Sequence, residues 1–204
     1  MMHFTSLSHR VARATIAIIV LTLASLGVAA PAHALGVIQV SEDGTLFGPT
    51  YPGVLFDGVS KIVPGDTQSE VFYIRNDGPD DGYLRITLRN VAGDPTFITA
   101  LETSASVPSQ AGTPVALNSA SPCWVLNEGI FLAAGSTVTV TATLGFSASS
   151  GNPTQDALAD FDLNATLTDT AVALLPTECG GSGTTIPGTA PHPGALSYTG
   201  ADVP

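Results

Sequence analysis

Between Val63 and Asn90 the chain reads VPGDTQSEVFYIRNDGPDDGYLRITLRN, and few kinds of fold can accommodate that run. Pro64-Gly65-Asp66 is turn chemistry: proline fixes φ, glycine permits positive φ, and aspartate bonds its own backbone. Ser69 to Arg75 is rich in β-branched and aromatic residues. Leu84, Ile86 and Leu88 then alternate with Tyr83, Arg85, Thr87 and Arg89, the period of a strand with one wet face. Asn76-Asp77-Gly78-Pro79-Asp80-Asp81-Gly82 between them reads as a loop. The stretch is expected to be a hairpin.

The rest of the body repeats this pattern. Ser136–Phe146 alternates Val138, Val140, Ala142, Leu144 and Phe146 with Thr137, Thr139, Thr141 and Thr143. Phe161, Leu163, Ala165 and Leu167 alternate with Asp160, Asp162, Asn164 and Thr166 in another strand. Shorter strands are expected at Gly36–Ser41, Phe97–Leu101 and Cys123–Leu126, with a long surface excursion over Ala105–Pro122 and an edge pairing at Val115–Leu117. No segment of the body has helical periodicity. The expected fold is all-β, an antiparallel β-sandwich of jelly-roll or immunoglobulin-like form, in one domain. Gly, Ser, Thr and Pro dominate from Gly180, which predicts a flexible linker over 180–204 after a domain spanning 35–179.

The first 34 residues read as a signal peptide. Arg10 and Arg13 make a basic start, Ala14–Ala30 an apolar run, and Ala32-His33-Ala34 the small-x-small site that places cleavage before Leu35. Past that point four basic residues face seventeen acidic ones, a net charge of −13. Such a body repels phosphate backbones and anionic lipid heads, so no nucleic-acid partner is expected. Cys123 and Cys179 are the only cysteines. In an oxidising compartment they are expected to close a disulfide around about 55 residues, worth about 4 kcal/mol by chain entropy.

Catalytic templates find little to use. His3, His9, His33 and His192 are the four histidines, and none lies within 35–179. A Ser-His-Asp, Cys-His or H-E-x-x-H mechanism therefore has no imidazole to draw on there. Paired carboxylates remain conceivable for glycoside hydrolysis, with Glu70, Glu128, Asp160 and Asp162 the least loop-like. Asp77, Asp80 and Asp81 could supply oxygens to Ca²⁺, although they lack EF-hand spacing and an acidic turn serves equally without a metal. No other cofactor is expected. Tyr83, Arg85 and Arg89 share one strand face, either as a ligand-binding stripe or paired with cross-strand acids.

Near the end, Leu196-Ser197-Tyr198-Thr199-Gly200 has the form L-x-x-T-G. It resembles the sortase sorting signal of Gram-positive surface proteins, with Ser197 where proline is usual. The resemblance implies a sortase and cell-wall peptidoglycan as partners. It also implies a hydrophobic span and basic stop beyond Pro204, the one route to the membrane.

Two further pieces resemble the camelysin/TasA type of secreted Gram-positive proteins. One is Pro64-Gly65-Asp66 followed by Phe72, Ile74, Asn76 and Gly78; the other is Ala134-Gly135, Val138–Phe146, Gly151-Asn152 and Gln155. The likeness covers roughly Val37 to Thr168. It implies a jelly-roll-like sandwich acting as an extracellular or biofilm matrix fibre or a surface subunit. A narrower form of the matrix expectation is donor-strand self-association, in which the strand near Val37–Val40 pairs with another subunit's sheet edge.

The expected function is thus an exported, non-enzymatic cell-surface or matrix protein displayed on a Gram-positive wall. A surface binding module, adhesin or glycan-binding, is the alternative, and a secreted hydrolase comes third.

Overall fold

The computed structural model describes residues 37–119, 123–150, 154, 157–169, 171, 183–191, 193 and 194. Nine strands, one short α-helix and a 3-10 turn at Leu117–Ser119 lie among them: β1 (Ile38–Ser41), β2 (Thr67–Asn76), β3 (Gly82–Gly93), α1 (Pro95–Ala100), β4 (Leu101–Ser106), β5 (Val115–Ala116), β6 (Cys123–Leu132), β7 (Thr137–Phe146), β8 (Ala159–Thr168) and β9 (Thr184–Ala190). They make two antiparallel sheets, the first ordered β1-β2-β7-β4-β5 and the second β6-β3-β8-β9. The all-β sandwich expected from the alternating strands is what forms.

The core follows that alternation. Phe72, Ile74, Val140, Ala142 and Leu144 of the first sheet are fully buried, as are Leu84, Ile86, Leu88, Phe161 and Leu163 of the second. Each strand commits one face inward, which fixes register, since a one-residue slip would turn every one of these side chains to the other side.

The run from Val63 to Asn90 is not a hairpin. β2 pairs with β1 and β7, whereas β3 pairs with β6 and β8, so consecutive strands lie in different sheets. Residues 77–81 form an arch from one sheet to the other. Asn76 organises the crossing. Its buried amide donates to the main-chain oxygens of Asp80 (2.8 Å) and Leu132 (3.1 Å), and its Oδ1 accepts from the Gly78 N–H at 3.0 Å. Turn residues specify that the chain reverses; they do not specify which neighbour the next strand pairs with.

Two other expectations are corrected. Phe97–Leu101 is not a strand: Pro95–Ala100 is a helix, with Asp94 as its N-cap accepting from the N–H groups of Thr96 (2.9 Å) and Phe97 (3.1 Å). Pro95 opens the helix, and the buried Phe97 ring meets Phe146 edge-on at 5.3 Å. The strand starts only at Leu101.

The expected linker is a strand over part of its length. β9 pairs with β8 from Ala159↔Ala190 to Ala165↔Thr184, burying Ile186 and Ala190. Pro187 is tolerated because its side of β9 faces away from β8, where its carbonyl accepts from the Leu55 N–H at 2.8 Å. Gly188 leaves room for Phe161, whose ring would lie 2.8 Å from an added Cβ.

The wet face expected on β3 is also partly covered. Arg85 is 4 % exposed and Thr87 fully buried. The edge pairing expected in the 105–122 excursion is present, as β5 against Glu102 and Thr103.

Candidate functional site

The acidic arch uses two of its three carboxylates, those of Asp77 and Asp81, in structural bonds. Asp77 forms an ion pair with Arg75 at 3.2 Å and accepts from Gln39 Nε2 at 2.8 Å. Asp81 accepts from the Ala134 N–H at 2.8 Å, and Asp80 contributes its main-chain oxygen to Asn76. Arg75 in turn lies over the Phe47 ring, 4.5 Å from its centroid. Among the described residues no three His, Cys, Asp or Glu side chains are grouped to hold a metal ion.

The four carboxylates considered for glycoside hydrolysis lie in three places, on β2, on β6 and on β8. Glu70 holds the Phe56 N–H at 2.5 Å, where Phe56 adopts a left-handed φ of 67°. Glu128 pairs with the buried Arg85 guanidinium at 3.2 Å across β3 and β6. Asp162 accepts from Asn90 at 2.7 Å, and Asp160 lies exposed two residues away on the same face of β8. The Tyr83–Arg85–Arg89 stripe is likewise used internally. Arg85 meets Glu128, Arg89 donates to Thr87 Oγ1 at 3.2 Å, and Tyr83 packs edge-on against Phe131 at 5.7 Å.

Two groups carry unusual proton affinities. The Asp43 carboxyl is held well below the usual carboxylate range by hydrogen bonds from the Thr45 hydroxyl and N–H, the Leu46 N–H and Ser41. Burial pushes the Tyr51 phenol upward, reinforced by the charges of Glu70, Glu42 and Asp57. The Tyr51 hydroxyl is buried with no hydrogen-bond partner, and its ring sits edge-on to Phe72 at 6.0 Å.

The sheet edges are closed or short. Val40 of β1 exchanges both main-chain bonds with Gly48, at 2.8 and 3.1 Å, and β9 is flanked by Leu55. β5 is two residues long. β1 itself, the strand on which donor-strand self-association would rest, lies in register against β2 of its own chain. At β6 the outer edge meets residues 110–113: the Thr113 N–H reaches the Leu126 oxygen at 2.9 Å, and Gln110 Nε2 reaches the Glu128 oxygen at 3.0 Å. An open groove of about 420 Å³ runs along this contact, lined by Gln110, Thr113, Trp124, Asn127 and Glu128 among others. Trp124 falls in the strand expected over Cys123–Leu126; the groove arises from an excursion folding back on an edge strand, and no local pattern encodes that.

A second groove of about 400 Å³ crosses the outer face of the first sheet, where Glu102 lies over Gly145 between Thr67 and Ala116. A third, of about 420 Å³, lies under Glu42–Pro52.

At the C-terminal side the sandwich extends further than expected. Pro193 bridges Ile62, and the Gly194 N–H donates to the Ile62 oxygen at 2.8 Å. Leu196, Ser197, Tyr198, Thr199 and Gly200 lie outside the described residues, as do Ala32, Ala34, Leu35 and Cys179. Cys123 is fully buried and carries no free thiol.

No protein-family model matches the chain, and no curated protein does. Among solved structures, one described as AvmM, which catalyses macrocyclization in alchivemycin A biosynthesis, aligns at a TM-score of 0.40 and 13 % identity, covering 68 % of this chain and 87 % of that one. The PapD-like domain 7 of human CEP192 aligns at 0.34 and 10 % identity, over 79 % and 89 %. A family 123 glycoside hydrolase from Clostridium perfringens aligns at 0.36 and 6 % identity, over 62 % of this chain and 21 % of that one. Likeness at this level carries no functional argument.

Proposed function

We propose that the chain is an exported, non-enzymatic surface or matrix protein, a β-sandwich held at a Gram-positive wall through Thr199 with Cys123 and Cys179 joined as a disulfide. The observation that carries this reading is the L-x-x-T-G form of Leu196–Gly200, which follows two residues after the Gly194 N–H that bonds the Ile62 oxygen. A sortase joining Thr199 to peptidoglycan would leave residues 195–199 as the tether. Five extended residues reach at most about 17 Å, so the sandwich would stand close against the wall rather than on a long stalk. Glu70, Glu128 and Asp162 are each engaged in a separate structural bond.

Muramidase digestion of walls from the producing cells, followed by mass spectrometry, tests the attachment. The expected product is a C-terminal peptide ending at Thr199 with a peptidoglycan fragment on its carboxyl. Protein recovered only from the medium, with Ala201-Asp202-Val203-Pro204 still attached, would overturn the reading.

A further inference from the structure

We propose that the groove along β6 binds a neutral pyranose chain. This goes beyond wall display and rests on the folded body alone, not on the tail. A sugar ring presents an apolar C–H face and a rim of hydroxyls, so its site needs an aromatic surface beside convergent acceptors and donors. Trp124 supplies the first: part of its side chain packs on the core and part lines the groove. Gln110 supplies the second. Its Nε2 is committed to the Glu128 oxygen, which fixes the amide and leaves Oε1 as an oriented acceptor.

Asn127, 4 % exposed, supplies a third group. Its Nδ2 donates to the oxygens of Ala105 (3.0 Å) and Gln110 (3.4 Å), while Oδ1 is buried without a partner beside the groove it lines. A small side-chain shift that brought this oxygen to the groove surface would let a ligand hydroxyl or acetamido N–H satisfy it. The walls are fixed in advance by the Thr113–Leu126 and Gln110–Glu128 bonds, so little ordering is left for binding to pay.

Charge and backbone chemistry narrow the class. Among the described residues no cation lines the groove, and Glu128 is paired with Arg85, so an anionic sugar finds no counter-charge there within a body of net −13. An extended peptide would add to β6 through main-chain groups, yet the Leu126 and Glu128 oxygens are already taken.

Trp124 is the only tryptophan, so fluorescence of the full chain reports on this groove directly. Titration with an N-acetylglucosamine tetramer and with cellotetraose is expected to give a saturable change in emission with at least one of them. Gln110→Ala, an exposed position, should weaken that affinity about fivefold or more, the worth of one hydrogen bond. Thr199→Ala should leave it unchanged, which separates this site from wall attachment. Emission unmoved by either oligosaccharide to millimolar concentration, or a response equally strong in Gln110→Ala, would overturn the proposal, as would a response to unstructured peptides alone. Trp124→Phe, followed by calorimetry, should lose measurable binding of the responding sugar; full retention would equally refute it.

Discussion

The side-chain amide of Asn76 donates to the main-chain oxygen of Leu132 at 3.1 Å, tying the last residue of β2 in one sheet to the last residue of β6 in the other. The same amide closes the arch on Asp80 and Gly78, while the Asn76 main chain bonds Ser136 (3.0 Å) and Gly135 (2.8 Å) before β7. One residue therefore fixes the arch, the β6–β7 turn and the spacing between the sheets.

Asn76→Ala should lower unfolding stability by about 2–4 kcal/mol, because it removes three side-chain bonds and strands buried main-chain groups. Asn76→Asp is the sharper probe. A carboxylate still accepts from Gly78, yet it faces the Asp80 and Leu132 oxygens with nothing to donate. Urea melts at neutral pH should rank wild type above both variants. Equal stability of Asn76→Asp and wild type would mean that the donor bonds contribute nothing.

Two glycines with positive φ should respond very differently to alanine. At Gly93 (φ 136°) an added Cβ would lie 2.1 Å from the Leu158 oxygen, against the backbone of the segment entering β8. At Gly129 (φ 71°) nothing among the described residues lies within 4 Å. Gly129→Ala should cost only the left-handed backbone penalty, about 1–2 kcal/mol. Gly93→Ala must displace main chain as well and should cost about 3 kcal/mol or more. Thermal unfolding of the two variants side by side checks the ranking.

These positions also show where sequence reading succeeds. Strand faces in β7 and β8 were legible because Val140, Leu144, Phe161 and Leu163 recur with period two and each burial is a local consequence of the pleat. Pairing was not legible, because whether β3 folds back on β2 or crosses to β6 and β8 depends on Asn76 reaching Leu132, 56 residues away. Helix α1 hid for a different reason. Phe97, Ile98 and Thr99 have strand propensity, and Asp94-Pro95 overrides them by capping a single turn and a half. β9 hid because Ile186 is the one large apolar side chain in Thr184–Ala190; pairing with β8 and flanking by Leu55 place the rest. The groove at β6 was illegible for the reason the arch was: Gln110 and Glu128 meet only through tertiary folding.

The acid and alkaline limits of stability should trace to separate residues. Asp43 has a depressed folded pKa, so its contribution is complete above about pH 4 and is lost as pH falls below that. Asp43→Asn should be less stable than wild type at pH 7, and the gap should narrow on acidification. Tyr51 is shifted upward, so its neutral form contributes fully below about pH 10, and that contribution is lost as pH rises further. Tyr51→Phe should flatten the alkaline loss. It should also raise stability near neutrality by about 1 kcal/mol, because an unpartnered buried hydroxyl disappears while the ring stays against Phe72. Denaturant midpoints from pH 3 to pH 11 for the three proteins give both slopes.

Whether residues 180–204 are linker or fold can be decided by truncation. β9 contributes a full ladder to β8, and Ile186 is fully buried beside Leu163 in register. Ile186→Ala should cost about 2–5 kcal/mol, as expected of a large core side chain. A chain of residues 35–183 would expose the β8 edge together with the inward faces of Phe161 and Leu163, which an edge strand cannot sustain in water. It should lose the cooperative transition and bind apolar dyes, whereas residues 35–194, which keep every described contact of β9, should melt within about 0.5 kcal/mol of the full chain. If 35–183 unfolds cooperatively with unchanged stability, β9 is dispensable and the tether to Thr199 lengthens by eleven residues. If it collapses, β9 and the contacts up to Gly194 belong to the folded body, and any wall linkage through Thr199 begins no earlier than residue 195.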